Sequence, residues 1–386
     1  MSSSAHVDRI LARGRALLEA ARESRAAWGV FDANLEHDRE EDCLVDRASD
    51  DRLLVAWAIE FDRAKDEDEA LVRYLLEQEV FWRERAPFQG IGETLRILID
   101  ALAGYHRVED APLFARAKRA NFDTFCGLAR QPVAAAGLQQ TIDYWRQRVE
   151  EEGADGVLDL LLDEDGDPLI EEEDVERWHL YHTGDEREVV DASMLSLWER
   201  RALFVEEDDL ALELSTARMK SAEGLDAKQR DGAIVEHVDL LFVLGMYAEA
   251  LVFLEALLER SPDPRGQGVW RRVIEAASHC GQQELAADYL DRSLAYYEDE
   301  ALPARERYGL RHTLEVALEH VPRLERELAV PLLERVDALT EGGNFNFVSF
   351  LELATRAFEE VGLDELAERY GRALRDERKR LSKIRI

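Results

Sequence analysis

Three stretches of the chain repeat one spacing of mostly apolar side chains, each just beyond a glycine. After Gly245 come Tyr247, Ala250, Leu251, Leu254, Leu257 and Leu258. Gly281 is followed by Ala286, Ala287, Leu290, Ser293 and Leu294, and Gly362 by Leu363, Leu366, Ala367, Tyr370, Ala373 and Leu374. Steps of three and four place such residues on one stripe of an α-helix. Each stripe follows another apolar helical stretch, over Val238–Leu244, Val269–His279 and Val348–Val361. The unit is therefore helix, glycine turn, helix. Gly245 and Gly281 lie 36 residues apart, and Gly281 and Gly362 lie 81 apart, about two units. A period of this size marks an array of stacked units, none of which can bury its apolar face alone. The intervening unit is expected near 305–340, with Pro331 opening a helix, since proline suits the first helical position.

Proline is scarce, 9 in 386 residues and none before Pro87, which agrees with long helices. The amino-terminal half reads as more divergent helix pairs: Arg52–Phe61 with Glu69–Arg83, then Glu93–Ala103 with Asp110–Ala120. Phe122–Ala136 with Leu138–Val149, and Leu195–Phe204 with Leu210–Lys220, are read as further pairs. Alternating β-branched runs are absent, so no strand is expected.

The segment GMYAEALVFLEALLERSP, Gly245 to Pro262, resembles the second half of a tetratricopeptide repeat. In that family a glycine opens the turn, small residues let the paired helices approach, and a proline closes the unit. Gly245, Tyr247, Ala250 and Pro262 match those places, and GLDELAERYGRAL, Gly362 to Leu374, matches without the proline. His237 and Val238 stand where leucine and glycine are usual. The resemblance spans about the last 150 residues. It implies an all-α, right-handed solenoid of antiparallel helix pairs whose first helices face inward, and it implies protein or peptide binding without naming the partner.

Charged residues make up 34% of the chain, against roughly 25% in an average globular protein, and the formal net charge is −34. That balance argues against binding a phosphate backbone or an anionic membrane surface. No run reaches the ~18 apolar residues of a membrane span. Cys43, Cys126 and Cys280 are odd in number and far apart, so neither a disulfide framework nor a metal knuckle is expected. With an amino-terminal stretch that lacks an apolar run, this points to a cytoplasmic protein with no cofactor.

Thirteen acidic residues and no basic one fall between Glu150 and Asp174. This segment, 150–175, is read as a junction between helical hairpins over 1–149 and tetratricopeptide-like repeats over 176–386. Within it, Asp163, Asp165, Asp167 and Asp174 take the first, third, fifth and twelfth places of a calcium loop. Pro168 replaces the glycine such a loop needs for its sharp turn, and Asp174 is shorter than the usual glutamate, so a solvated acidic turn is expected and no metal. The carboxyl-terminal helix is the basic counterpart, with Arg369, Arg372, Arg375, Arg378, Lys379, Arg380, Lys383 and Arg385. Cations suit a helix C-terminus, and a docking site for an acidic surface is the alternative.

Signals for catalysis are sparse. His179 and His182 share a helix face and, with Glu176 or Asp185, make the one weak metal-like pair. The Gly90–Glu93 stretch lacks the third glycine and the preceding strand of a dinucleotide fingerprint. His279 and Cys280 are adjacent and diverge on a helix. Asn121 and Asp123 suit a helix cap, with Phe122, Phe125 and Cys126 as core. The chain is thus read as a non-enzymatic adaptor presenting a helical surface to a basic protein or peptide. Glu236 and Asp239, on the helix before Gly245, are the candidate binding residues. The alternatives are an acidic immunity-type or DNA-mimicking inhibitor of a nuclease or toxin, and an enzyme or small-molecule sensor with a pocket in the array.

Overall fold

The computed structural model describes residues 3–38, 43–62, 67–86, 90–151, 153–182, 194–260, 267–298, 309–341, 345 and 347–383. Two compact units divide it, 1–191 and 192–386. Pro262, Glu152, Asp185 and Arg385 lie outside the described residues.

In the first unit the helices are α1 (Ser3–Glu23), α2 (Ser49–Asp62), α3 (Glu69–Arg83), α4 (Glu93–Ala103), α5 (Ala111–Arg119), α6 (Phe122–Gly127), α7 (Leu138–Arg146), α8 (Ala154–Leu161) and α9 (Glu172–His182). The expected helices α3 and α4 appear with the expected bounds, but their pairing is shifted by one. The partner of α2 is α1, a helix outside the expected pairs, and α3 packs on α4. Arg22 on α1 fixes this frame with a bidentate grip on the fully buried Asp68, at 2.9 and 2.8 Å, in the link between α2 and α3.

An antiparallel hairpin corrects the expectation of no strands. Strand β1 (Leu35–Asp38) pairs with β2 (Cys43–Asp46), Leu35 opposite Asp46. The strands are four residues each and carry no alternating pattern, because tertiary contacts hold them. Asp46 is buried and accepts hydrogen bonds from the amides of Asn34 and Ala48, at 2.8 and 3.1 Å. It also pairs with the fully buried Arg52, which reaches Glu79 at 3.1 Å, and Glu79 in turn holds Arg83 at 2.8 Å. Two guanidiniums thus face two carboxylates, so each of these four buried charges has a counter-charge.

The stretch 122–136 is not one helix: α6 ends at Gly127, and a short 3-10 turn spans Gln131–Ala134. Asn121 caps α6 as expected, its side chain accepting from the Thr124 amide at 2.9 Å. Phe122, Phe125 and Cys126 are exposed rather than core, since six residues give α6 too short a buried face, which Thr124 occupies. The acidic segment 150–175 lies in the first unit, where α8 packs against α5 and α7, and α9 against α7.

The second unit comprises α10 (Leu195–Phe204), α11 (Asp208–Ser221), α12 (Ala227–Val243), α13 (Tyr247–Arg260), α14 (Gln267–His279), α15 (Gln283–Glu298), α16 (Leu310–His320), α17 (Arg326–Thr340), α18 (Val348–Val361) and α19 (Asp364–Leu381). Consecutive helices pack as pairs, and α14 on α16, α15 on α17 and α16 on α18 join one pair to the next. This is an all-α solenoid of helix pairs. Gly245, Gly281 and Gly362 turn three of the pairs at φ of +70°, +71° and +77°, a conformation that side chains with a Cβ resist. At each turn the amide after the glycine donates to a carbonyl five residues back, Met246 to Leu241, Gln282 to Ala277 and Leu363 to Phe358, all at 2.8 Å. Five residues beyond each glycine sits a buried alanine, Ala250, Ala286 or Ala367, where the helices approach.

The intervening pair is α16 and α17, as the spacing requires. Leu324 takes the place of the turn glycine and Ala329, fully buried, that of the alanine. Pro331 does not open α17 but lies inside it, where its missing N–H removes one ladder bond and leaves the helix continuous.

Candidate functional site

The first helices of successive pairs, α12, α14 and α16, carry a row of polar side chains in the second unit. Both expected binding residues stand on α12, and neither carboxylate is free. Glu236, 61% exposed at its side chain, pairs with Arg218 of α11. Arg218 also holds the buried Glu199 of α10 at 2.9 Å. Burial pushes the Glu199 carboxyl up, and Arg218 opposes that shift. Beside them the buried His237 shares a 3.0 Å hydrogen bond with the fully buried Ser215, and burial and then Arg218 lower its pKa. Glu236 therefore closes a polar seam through α10, α11 and α12. Asp239 takes a bidentate bond from Arg272 of α14, at 2.6 and 2.8 Å, which ties two successive first helices together.

The next members of the row differ. Asp239 and Glu275 occupy the same repeat position, six residues before Gly245 and Gly281. Glu275 is half-buried on α14 and, among the described residues, accepts no hydrogen bond and forms no ion pair. Burial raises its pKa, the neighbouring Glu319 of α16 raises it further, and Arg272 and Arg323 oppose them. Glu319 is exposed and likewise makes no ion pair among the described residues. One turn beyond Glu275, the exposed His279 stacks on Tyr247, ring centroids 3.9 Å apart and planes 3° from parallel. Its Nε2 accepts from the Arg323 guanidinium at 3.1 Å. His320, 3% exposed, stands edge-on to His279 at 6.1 Å, and its Nδ1 has no hydrogen-bond partner among the described residues. Burial, then Arg323 and His279, push the His320 pKa down to about 4. Three carboxylates, Asp239, Glu275 and Glu319, thus face two guanidiniums, each already engaged. The 36-residue period carries the position of Asp239 onto Glu275; Glu319 has no such signal, because Leu324 replaces the turn glycine of its pair.

The calcium-like carboxylates are not gathered. The Asp163 carboxylate accepts from the amides of Asp165 and Asp167, both at 2.9 Å, and closes a tight turn with Gly166 at φ +85°. Asp174 accepts from the Glu171 amide at 3.3 Å and pairs with Arg177 at 3.2 Å. Among the described residues no group of three or more His, Cys, Asp and Glu side chains is arranged to hold a metal ion. His179 bonds the Ala135 carbonyl at 2.9 Å, whereas His182 stacks on Trp178 and meets Asp100 at 3.2 Å, so the two imidazoles serve different contacts. On α19, Arg369, Arg372, Arg378 and Arg380 pair with carboxylates of their own unit; Arg375 and Lys379, and Lys383 just beyond the helix, form no ion pair among the described residues. No described helix is long and apolar enough to cross a membrane.

No protein-family profile matches the chain. No curated protein matches it either. Among solved structures it is similar to nearly identical tetratricopeptide-like repeats of a kinesin light chain protein from Podosopora anserina, with 18% identity, a TM-score of 0.36, and coverage of 50% of this chain and 96% of that one. It is also similar to a signal-transduction ATPase with numerous domains and a tetratricopeptide-repeat sensor from Pyrococcus horikoshii, with 12% identity and a TM-score of 0.38. That match covers 86% of this chain and spans half of the other.

Proposed function

We propose that the chain is a non-enzymatic, cytoplasmic protein-binding scaffold, and that the first-helix face of its second unit receives a basic protein or peptide. The observation that carries this reading is the division of labour in the array. Its apolar stripes are spent between helices, as at Ala250, Leu251 and Leu254, while Asp239, His279 and Glu319 stay exposed and Glu275 half-buried on the first helices. A face built this way is ordered before its partner arrives, so association does not have to fold it. The excess carboxylate on that face and the net charge of −34 favour a basic partner and steer its approach.

The test is affinity capture from native lysate at low and high salt with two charge-matched variants. One carries Asp239→Lys and Glu275→Lys on the proposed face. The other carries Glu249→Lys and Glu259→Lys, which are exposed on α13. A basic protein retained by the wild type and the α13 variant, lost with the face variant and released by salt, supports the reading. Equal retention by both variants removes it.

A further inference from the structure

We infer that His279 and Arg323 form an acid-released latch that holds the turn between α16 and α17 against the end of α14. The latch belongs to the array itself and goes beyond the scaffold reading, so it stands or falls whatever the array binds. The His279 Nε2 lies 3.1 Å from the Arg323 guanidinium. A guanidinium has only N–H donors, no acceptor, and does not lose its proton. The bond therefore requires a lone pair on Nε2, which places the imidazole proton on Nδ1. Protonation of Nε2 turns that acceptor into a donor and sets two cations against each other, so the contact exists only with the neutral ring. Tyr247 of α13 stacks on the ring, centroids 3.9 Å apart and planes 3° from parallel, and holds its plane in place.

The bond joins two helix pairs. His279 ends α14, and Arg323 ends the short 3-10 turn Val321–Arg323 that leads from α16 into α17. Two residues on, the Glu325 amide donates to the Gln283 side chain of α15 at 2.7 Å. Ile274 and Ala277 of α14 share an apolar core with Leu314, Ala317 and Leu318 of α16, so opening is confined to the turn. The charged groups around the ring do not replace the lost bond. Glu319 of α16 favours the charged ring, but it is exposed and forms no ion pair among the described residues. Glu275, one turn back on α14, forms none either, and Arg326 of α17 is turned to the Val361 carbonyl of α18 at 3.3 Å. His320 is 3% exposed and edge-on to His279 at 6.1 Å; in acid it is a further positive charge and no counter-ion. Burial, and then Arg323, hold the His279 pKa below its ordinary value, while Glu319 opposes them. The bond is thus complete at neutral pH and is lost as pH falls below about 6.5.

The test is hydrogen exchange of the full chain from about pH 7.5 to about pH 5, corrected for the intrinsic pH dependence of exchange, with nuclear magnetic resonance of the histidine rings in parallel. The Leu324 and Glu325 amides are expected to lose protection about fivefold on acidification, while those of Ile274 and Leu318 hold. His279→Gln offers Arg323 a side-chain oxygen that does not titrate, and is expected to keep both turn amides protected throughout. The His279 ring signal is expected to titrate below about 6.5 in the wild type and at higher pH in Arg323→Gln, which lacks the cation. Circular dichroism of both variants is expected to stay helical. Unchanged protection at Leu324 and Glu325, or a His279 midpoint untouched by Arg323→Gln, overturns the latch. Acid-induced exchange that persists in His279→Gln assigns the opening to His320 and overturns it as well. An equal rise at Ile274 and Leu318 makes the change global, with the same result.

Discussion

His106 and His179 hydrogen-bond the same backbone oxygen, the carbonyl of Ala135, each at 2.9 Å, with their ring centroids 4.5 Å apart. The two imidazoles come from residues 73 apart in sequence, and together they fasten α9 to the 3-10 turn after α6. Burial, and then the neighbouring His106, hold the His179 pKa below its ordinary value, while the Ala135 bond opposes them. A histidine whose folded pKa is depressed stabilises the fold above its ordinary value of about 6.5, and that contribution is lost as pH falls through this region. The first unit is therefore expected to lose stability as pH falls below about 6.5. Urea unfolding followed by tryptophan fluorescence checks it, since Trp178 is buried on the same helix. His179→Gln keeps an amide donor for the carbonyl and should flatten the pH dependence.

The same sign applies more strongly to His320 in the second unit. Its pKa is pushed down to about 4, so the stability that the neutral ring gives at pH 7 is lost between about pH 6.5 and pH 4. The full shift is worth on the order of 3 kcal/mol. Glu275 works against it, because its raised pKa makes protonation there favourable over part of the same range. Thermal unfolding of His320→Leu at pH 7 and pH 4.5 should show a smaller loss on acidification than the wild type. An equal loss would place the acid sensitivity elsewhere.

Arg218 serves two acids, and they are not equivalent. Removing Glu236 leaves Arg218 still paired with Glu199, so Glu236→Gln should cost less than about 1 kcal/mol. Arg218→Met instead strands the buried Glu199 and should cost about 3 kcal/mol. Glu236→Lys sets a like charge against Arg218 and should fall between them. Urea midpoints of the three variants at pH 7 test this order.

In the first unit, Arg52→Met removes the cation that Asp46 and Glu79 share, leaving one guanidinium, Arg83, for two buried carboxylates. The expected loss is about 3–5 kcal/mol. Because Asp46 also caps the backbone around β2, the hairpin should loosen first. Faster hydrogen exchange at the Asn34 and Ala48 amides than at the α1–α2 core would show it.

The helices and glycine turns of the second unit were legible in the linear chain, and the physical reason is locality. A stripe at steps of three and four, a glycine at positive φ and an alanine five residues later act within one pair of helices. Each therefore leaves its mark within about 20 residues of sequence. Even the degenerate pair α16–α17 stood where the period required it, although the role of Pro331 did not. Tertiary structure decided which charges are spent and which remain available. Asp239 and Glu275 occupy one repeat position, but Asp239 is bound by Arg272, 33 residues away, while Glu275 forms no ion pair among the described residues. Likewise β2 is a strand because Arg52 and two backbone amides hold Asp46, not because its four residues favour extension. An ion pair or a tertiary hydrogen bond depends on distance in space between residues far apart in the chain, and no periodicity in a single sequence encodes that distance.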